Sequence, residues 1–228
     1  MAIPEPVAAP EAPLTDGTLF ITNWTENQQQ EALHRLLTLL SETPETYNVH
    51  HPAGPPTLLD QDFSLFAHTF NAKRCMEIAL SHKSYITRTY TRFQPAQLFP
   101  NLTLETILVH DNSKVNSFLE VVGYTERWVH LNKDSPNWEP SLHHHLTHNS
   151  HHPEFRVDPE KGTPLEMEPS DLEESVVDML AIRWERNLNG VGELAGLVAV
   201  EPKYLERYHP ADRPRVQVLL DLIGTSGL

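Results

Sequence analysis

Proline placement constrains this chain more than any other feature. Nineteen prolines are spread over 228 residues, and a proline inside a helix removes a backbone donor and clashes with the preceding turn. Pro4, Pro6, Pro10 and Pro13 stand among alanines and acids, with too little apolar content to offset the entropy of ordering. Residues 1–16 are therefore expected to form a flexible tail and residues 17–228 a single domain, because a chain of this length holds one well-buried core more readily than two. Pro44, Pro52, Gly54, Pro55 and Pro56 exclude regular structure over 43–61, and Pro159, Gly162, Pro164 and Pro169 mark a second loop over 156–170.

Between these breaks the apolar residues recur with helical spacing. Ala32, Leu33, Leu36, Leu37, Leu39 and Leu40 predict a helix over 26–42, opened by Thr25 as its N-cap and stopped by Pro44. Thr18 to Thr22 reads as a short extended piece. Further helices are predicted over 63–91 with a break near Asn71, over 102–109, 115–130 and 138–150, from Ser170 to Asn189-Gly190, over 194–208 with an interruption at Pro202, and over 214–223. Ser170 is expected to cap its helix, with Glu173 at the reciprocal capping position. The fold class is all-α, with about six to eight helices.

A formal charge of −14 with histidines neutral argues against binding duplex nucleic acid. One basic run departs from it. Lys73, Arg74, Lys83, Arg88 and Arg92 face the single acid Glu77, either as a solvated helix face or as a funnel for a small anionic substrate. Cys75 is the lone cysteine, which excludes an internal disulfide and a cysteine-rich zinc site, so metal chemistry here must use nitrogen and oxygen ligands. The first residues lack a basic start followed by an apolar run, and no stretch approaches the ~18 apolar residues of a membrane span. An intracellular, soluble protein without a membrane partner is expected, its oligomeric state left open.

The chemistry-bearing residues gather around His110-Asp111, a compact source of one imidazole and one carboxylate ligand. The pair is expected in the C-terminal part of the 102–109 helix, with a bend at Asn112 and Ser113. His82 shares a helix face with Ile78, Tyr85 and Ile86 and so points inward; alone, such a histidine is more often a satisfied core residue than a ligand. His143, His144, His145, His148, His151 and His152 form a dense cluster, and Pro153 biases His152 out of the helical region, so that a helix end there re-aims two imidazoles. Asp178, among Val177, Met179 and Leu180, costs stability unless paired with an ion or with Arg183 or Arg186. Lys114 lies three residues after Asp111, placed either to meet a metal-bound phosphate or to pair with Asp111 or Glu120. His130 has no companion at ligand spacing and is expected on the surface.

The order His82, His110-Asp111, further histidines and Asp178 resembles the metal-site pattern of the HD phosphohydrolase superfamily. More narrowly, three segments are similar to an uncharacterised domain family within or near it: His110-Asp111-x-Ser113-Lys114, His145-x-x-x-Asn149-x-His151-His152-Pro153-Glu154, and Glu174-Ser175-Val176-Val177-Asp178-Met179. The resemblance covers residues 63–190. It implies an HD-like helical domain with one or two divalent transition metal ions (Mn, Zn, Fe, Co or Ni) between central helices. His82, His110, Asp111 and Asp178 would hold a first ion, while His145, His151 or His152 would hold a second ion or a phosphate. Lys114 and Glu174 would take catalytic roles; Lys83, Arg88, His148 and Asn149 would contact substrate. The implied activity is metal-dependent hydrolysis of a small phosphorylated substrate, foremost a nucleotide. The alternatives are a di-iron oxygenase of the same superfamily and a non-catalytic binding module around a structural ion.

Overall fold

The computed structural model describes residues 24–41, 71–186 and 200–226. The tail over 1–16, the extended piece at 18–22, the loop over 43–61, the helical start at 63 and the Asn189-Gly190 stop all lie outside the described residues. The described elements are α1 (Glu26–Ser41), α2 (Asn71–Phe93), α3 (Leu104–Val109), α4 (Ser113–Asn116), α5 (Phe118–Tyr124), α6 (Trp138–His148), α7 (Pro169–Arg186), α8 (Pro202–Leu205) and α9 (Asp212–Thr225), with short 3-10 or π turns between them. Among the described residues there is no β-strand, only an isolated bridge between Val157 and Pro164. The all-α expectation holds. No described helix is long and apolar enough to cross a membrane.

The chain divides into two compact units, Met1–Met76 with Asn116–Ser141, and Glu77–Val115 with Leu142–Leu228. In the first, Thr25 caps α1 as its sequence predicts, and Gln28 reciprocates: Gln28 N–H donates to Thr25 Oγ1 at 3.3 Å and Thr25 N–H to Gln28 Oε1 at 2.8 Å. Ala32, Leu33 and Leu36 then pack on Phe118, Val121 and Val122 of α5, and Trp24 stacks on Phe118 with ring centroids 5.5 Å apart. Leu37, expected in the same stripe, is 45% exposed. The expected 115–130 helix is broken: Ser117 is an extended N-cap before α5, and Thr125–Val129 is a π turn. That turn buries Glu126, whose carboxylate accepts from Ser135 Oγ and, at 3.1 Å, from Asn137 Nδ2. His130, just beyond, is half-buried rather than on the surface. Gly123 is needed where it stands, since a Cβ there would lie 2.0 Å from Ser141 Oγ.

The second unit is organised around α7. Leu172, Val176, Val177 and Leu180 are almost fully buried against Tyr85, Ile86 and Phe93 of α2, Ile107 of α3 and Val216, Leu220 and Ile223 of α9. Burial of each such side chain contributes about 1.5–3 kcal/mol relative to exposure. The helix is also buried on its polar side, where each acid or hydroxyl meets a particular partner, as buried polar groups must. Glu173 accepts from the Asn101 backbone N–H at 2.9 Å, Glu174 faces His110, Ser175 bonds Tyr208 at 2.6 Å, and Asp178 faces His82. Two boundary expectations change here. Helix α7 begins at Pro169, whose missing N–H suits a first turn, and Glu173 serves Asn101 instead of a Ser170 capping box. At the other end, residues 194–199 of the expected 194–208 helix lie outside the described residues, and Pro202 opens the four-residue α8.

Candidate metal centre

Helix α3 ends at Val109, one step before His110, so the His110-Asp111 pair sits in a turn instead of on the expected helix end. His110 leaves helical geometry with ψ 132, and Asp111 takes the left-handed region with φ 53, which aspartate tolerates better than most residues. The chain re-enters a helix at Ser113, where the Lys114 N–H donates to Asp111 O at 3.1 Å. This reversal turns both side chains inward, leaving His110 2% and Asp111 8% exposed.

Around that turn two nests of ligand atoms form. In the first, His82 Nε2 of α2 lies 2.9 Å from Asp178 Oδ1 of α7 and 4.0 Å from Asp111 Oδ2, while His110 Nε2 lies 3.5 Å from Asp111 Oδ2 and 3.8 Å from Asp178 Oδ1. In the second, Asp111 Oδ1 faces His145 Nε2 at 3.5 Å and His151 Nε2 at 3.4 Å, and His152 Nε2 meets His145 Nε2 at 2.9 Å. The potential ligand atoms of Asp111, His145, His151 and His152 all lie within 4.8 Å of one another, as do those of His82, His110 and Asp178. Asp111 contributes one oxygen to each nest. Asparagine and proline around 149–153 achieve the re-aiming expected there: α6 stops at His148, and His152 is extended at ψ 135 before a 3-10 turn at Pro153.

The imidazoles are held from behind through their Nδ1 atoms, which fixes ring orientation and leaves Nε2 facing inward. His82 Nδ1 lies 3.1 Å from Glu185 Oε2, His110 Nδ1 2.7 Å from Glu174 Oε1, and His145 Nδ1 is met by the Asn149 amide at 3.1 Å and the Ser113 hydroxyl at 3.4 Å. His151 Nδ1 shares Glu174 Oε1 at 3.4 Å. His110 Nε2, Asp111 Oδ1 and His151 Nε2 are buried with no hydrogen-bond partner. Such orphaned atoms cost about 1–3 kcal/mol each, so His110 Nε2 in the first nest and Asp111 Oδ1 with His151 Nε2 in the second are what donor sets for cations require. Nitrogen and carboxylate donors at these spacings fit a divalent transition ion.

The electrostatics agree with the geometry. Burial alone would push the His110 imidazole down, yet Asp111, Asp178 and Glu174 carry it up to about 10. His82 is likewise raised, burial being outweighed by Asp178 and Glu185. The surrounding acids favour positive charge at both rings. Asp111 and Asp178 are buried, which favours the neutral acid, but Lys114 and His110 hold Asp111 well below the usual carboxylate range and His110 and His82 do the same for Asp178. His152 goes the other way, lowered by burial and by the neighbouring His151 and His145.

The other sequence-derived candidates fall at varying distances from this centre. Lys114 is buried and its Nζ pairs with Asp111 Oδ2. Asp178 pairs with histidines, not with Arg183 or Arg186. Asn149 orients His145, and Lys83 donates to the Asn112 amide beside the pair. His148 is exposed, stacked on His144 at 3.8 Å, and lines with Thr106, Asn149 and Ser150 a cleft of about 180 Å³ that reaches His110, Asp111, His151 and Glu174. Arg88 lies over the Tyr85 and Trp184 rings. Sequence reasoning missed Glu185 and Ser113 as supports. Glu185 was findable: Glu174, Asp178 and Glu185 are spaced by four and seven, one stripe of acids along α7.

No curated protein and no solved structure matches the chain. A family profile described as "Family of unknown function (DUF5662)" matches residues 71–221, which span α2 to α9 and carry every residue of the two nests, and the chain belongs to that family.

Proposed function

We propose that this protein is a metal-dependent phosphohydrolase acting on a small phosphorylated substrate, foremost a nucleotide, with an HD-like arrangement of His82, His110, Asp111 and Asp178 around a first divalent ion. One observation carries the reading: His110 Nε2, Asp111 Oδ1 and His151 Nε2 are buried with no hydrogen-bond partner, and their residues line a polar cleft through which a substrate can arrive. A closed structural site would leave no such approach. The order of these residues along the chain supports the same superfamily.

A divalent ion bound there would polarise a phosphoryl oxygen and lower the pKa of a bound water. The chain's own residues do the rest. His82, His110, Asp111 and Asp178 present four converging donors, and His145, His151 and His152 offer three more for a second ion or for the phosphate. Lys114 holds its ammonium at Asp111, where it meets charge growing on the transferred group, an interaction that strengthens in the transition state. Thr106 and His148 at the cleft offer donors to the remaining substrate oxygens. Glu174 is occupied by two imidazoles and acts as an orienter, not as the acid.

The wealth of imidazole around Asp111 favours a second reading, a di-iron oxygenase, since nitrogen and carboxylate donors suit iron as well as manganese or zinc. Metal content, an absorption spectrum and a hydrolysis screen against nucleoside mono-, di- and triphosphates on one sample separate the two. Phosphate release dependent on the ion supports the phosphohydrolase; an iron-loaded, coloured protein without phosphate release supports the oxygenase.

A further inference from the structure

Glu174 stands between the two nests. It lies 4% exposed on α7, one turn before Asp178, and its Oε1 is 2.7 Å from His110 Nδ1 and 3.4 Å from His151 Nδ1. Those two rings lie 4.2 Å apart at a tilt of 32°, and each turns a buried, partnerless Nε2 toward Asp111. A carboxylate oxygen has two lone pairs; this one is hydrogen-bonded to the His110 ring and lies at ion-pair distance from the His151 ring. His82 is held by a different acid, Glu185, and His145 by Ser113 and Asn149. Thus one buried oxygen faces the Nδ1 of a ligand in each nest, while Glu185, Ser113 and Asn149 each face the Nδ1 of one of these imidazoles.

We infer that Glu174 is the shared positioning residue of two divalent-ion sites, fixing His110 for one and His151 for the other. This inference rests on the metal reading above and deepens it. A support that holds one imidazole weakens one site when it is lost; this one weakens two together. Outer carboxylates of this kind are worth about 10–100-fold in metal affinity. The expected signature of Glu174→Gln is therefore a loss of that size in both binding steps, whereas Glu185→Gln lowers only the step that uses His82. Glutamine keeps the side-chain length and removes the charge, so the hydrogen bond to His110 and the attraction to His151 are both weakened without opening a cavity.

The test is calorimetric titration of metal-stripped full-length protein with Zn²⁺, for the parent, Glu174→Gln and Glu185→Gln, with circular dichroism confirming the fold of each. Glu174→Asp, which keeps the charge but withdraws it by one methylene, serves if the glutamine variant does not fold. Nitrogen-15 spectra of the Zn²⁺-loaded parent give a second readout. His110 and His151 should both carry the proton on Nδ1, and both should change in the variant. Loss in both steps for Glu174→Gln beside loss in one for Glu185→Gln supports the inference. Two unaltered steps, or one altered step, in Glu174→Gln overturns it while the metal reading stands, as does a parent with a single step. A parent that takes up no Zn²⁺ overturns both.

Discussion

Two regions of this molecule bury carboxylates almost completely, with opposite results. Glu126, in the π turn of the first unit, is 0% exposed, and both of its oxygens accept from Asn137, one of them also from Ser135. It pins the turn to the residues that follow. Asp111, in the second unit, is also buried, yet its Oδ1 has no hydrogen-bond partner and faces imidazole nitrogens. Burial of an acid is therefore not the mark of a site, because a satisfied acid is a structural brace. The mark is a set of buried acceptors left open toward one another, a costly arrangement unless a cation completes it.

The sharpest way to break this comparison is to remove one acid from each region. Asp111→Ala should lower divalent metal content by more than about 100-fold, since both nests lose an oxygen at once and outer supports alone are worth 10–100-fold. Glu126→Ala should leave metal content per folded molecule unchanged while lowering stability by about 1–3 kcal/mol, as Ser135 and Asn137 lose their acceptor. Elemental analysis and denaturant melts on the two variants check this; undiminished metal in Asp111→Ala would end the first claim.

Acid and alkali sharpen the same contrast. The metal-free protein holds His82 and His110 with raised pKa values, His110 at about 10. Their contribution to stability is complete below the unfolded value near 6.5 and is lost as pH rises, for His110 through about 10. Asp111 and Asp178, held low, contribute above about 4 and lose that contribution only as pH falls through their lowered values. Metal binding needs the imidazole lone pair and so expels a proton. Affinity should rise with pH by up to about tenfold per unit for each proton displaced, through the range from about 6.5 to 10. Titrations at a series of pH values read the slope, and a flat profile would place the ion elsewhere.

Metal removal gives an effect of middle size. At a metal concentration of about 100 times Kd the ion stabilises the folded state by ~2.7 kcal/mol, so a chelator should lower the melting temperature of the parent and of Glu126→Ala alike, and should do nothing to Asp111→Ala. Lys114→Met should lower phosphohydrolase turnover at least about tenfold, as expected for a group acting on the transition state, while retaining the metal. Full turnover in that variant would remove Lys114 from the chemistry. The smallest change is expected at Arg88, whose exposed guanidinium lies over two rings: Arg88→Ala should cost less than about 1 kcal/mol and leave turnover alone, whereas a raised KM would restore it to the substrate path.

The sequence by itself determined the helical class, the proline-set break over 156–170 and the residue types of the centre. Those features are local: proline geometry, the period of apolar residues and the Thr25 cap act over a few positions each. The inward aim of His82 was legible from its neighbours Tyr85 and Ile86, and the re-aiming at His151 and His152 from Pro153. Only the tertiary structure decided how the donors divide. Asp111 gives one oxygen to each nest because a left-handed turn, which no periodicity announces, rotates it there. His145, His151 and His152 were separated from His143, His144 and His148 by packing rather than by spacing. Glu173 left its expected cap for Asn101, 72 residues away in sequence, and Glu174 faces two imidazoles from different segments of the chain, His110 and His151. These contacts link residues distant along the chain, and their free energy exists only once the helices that carry them are packed.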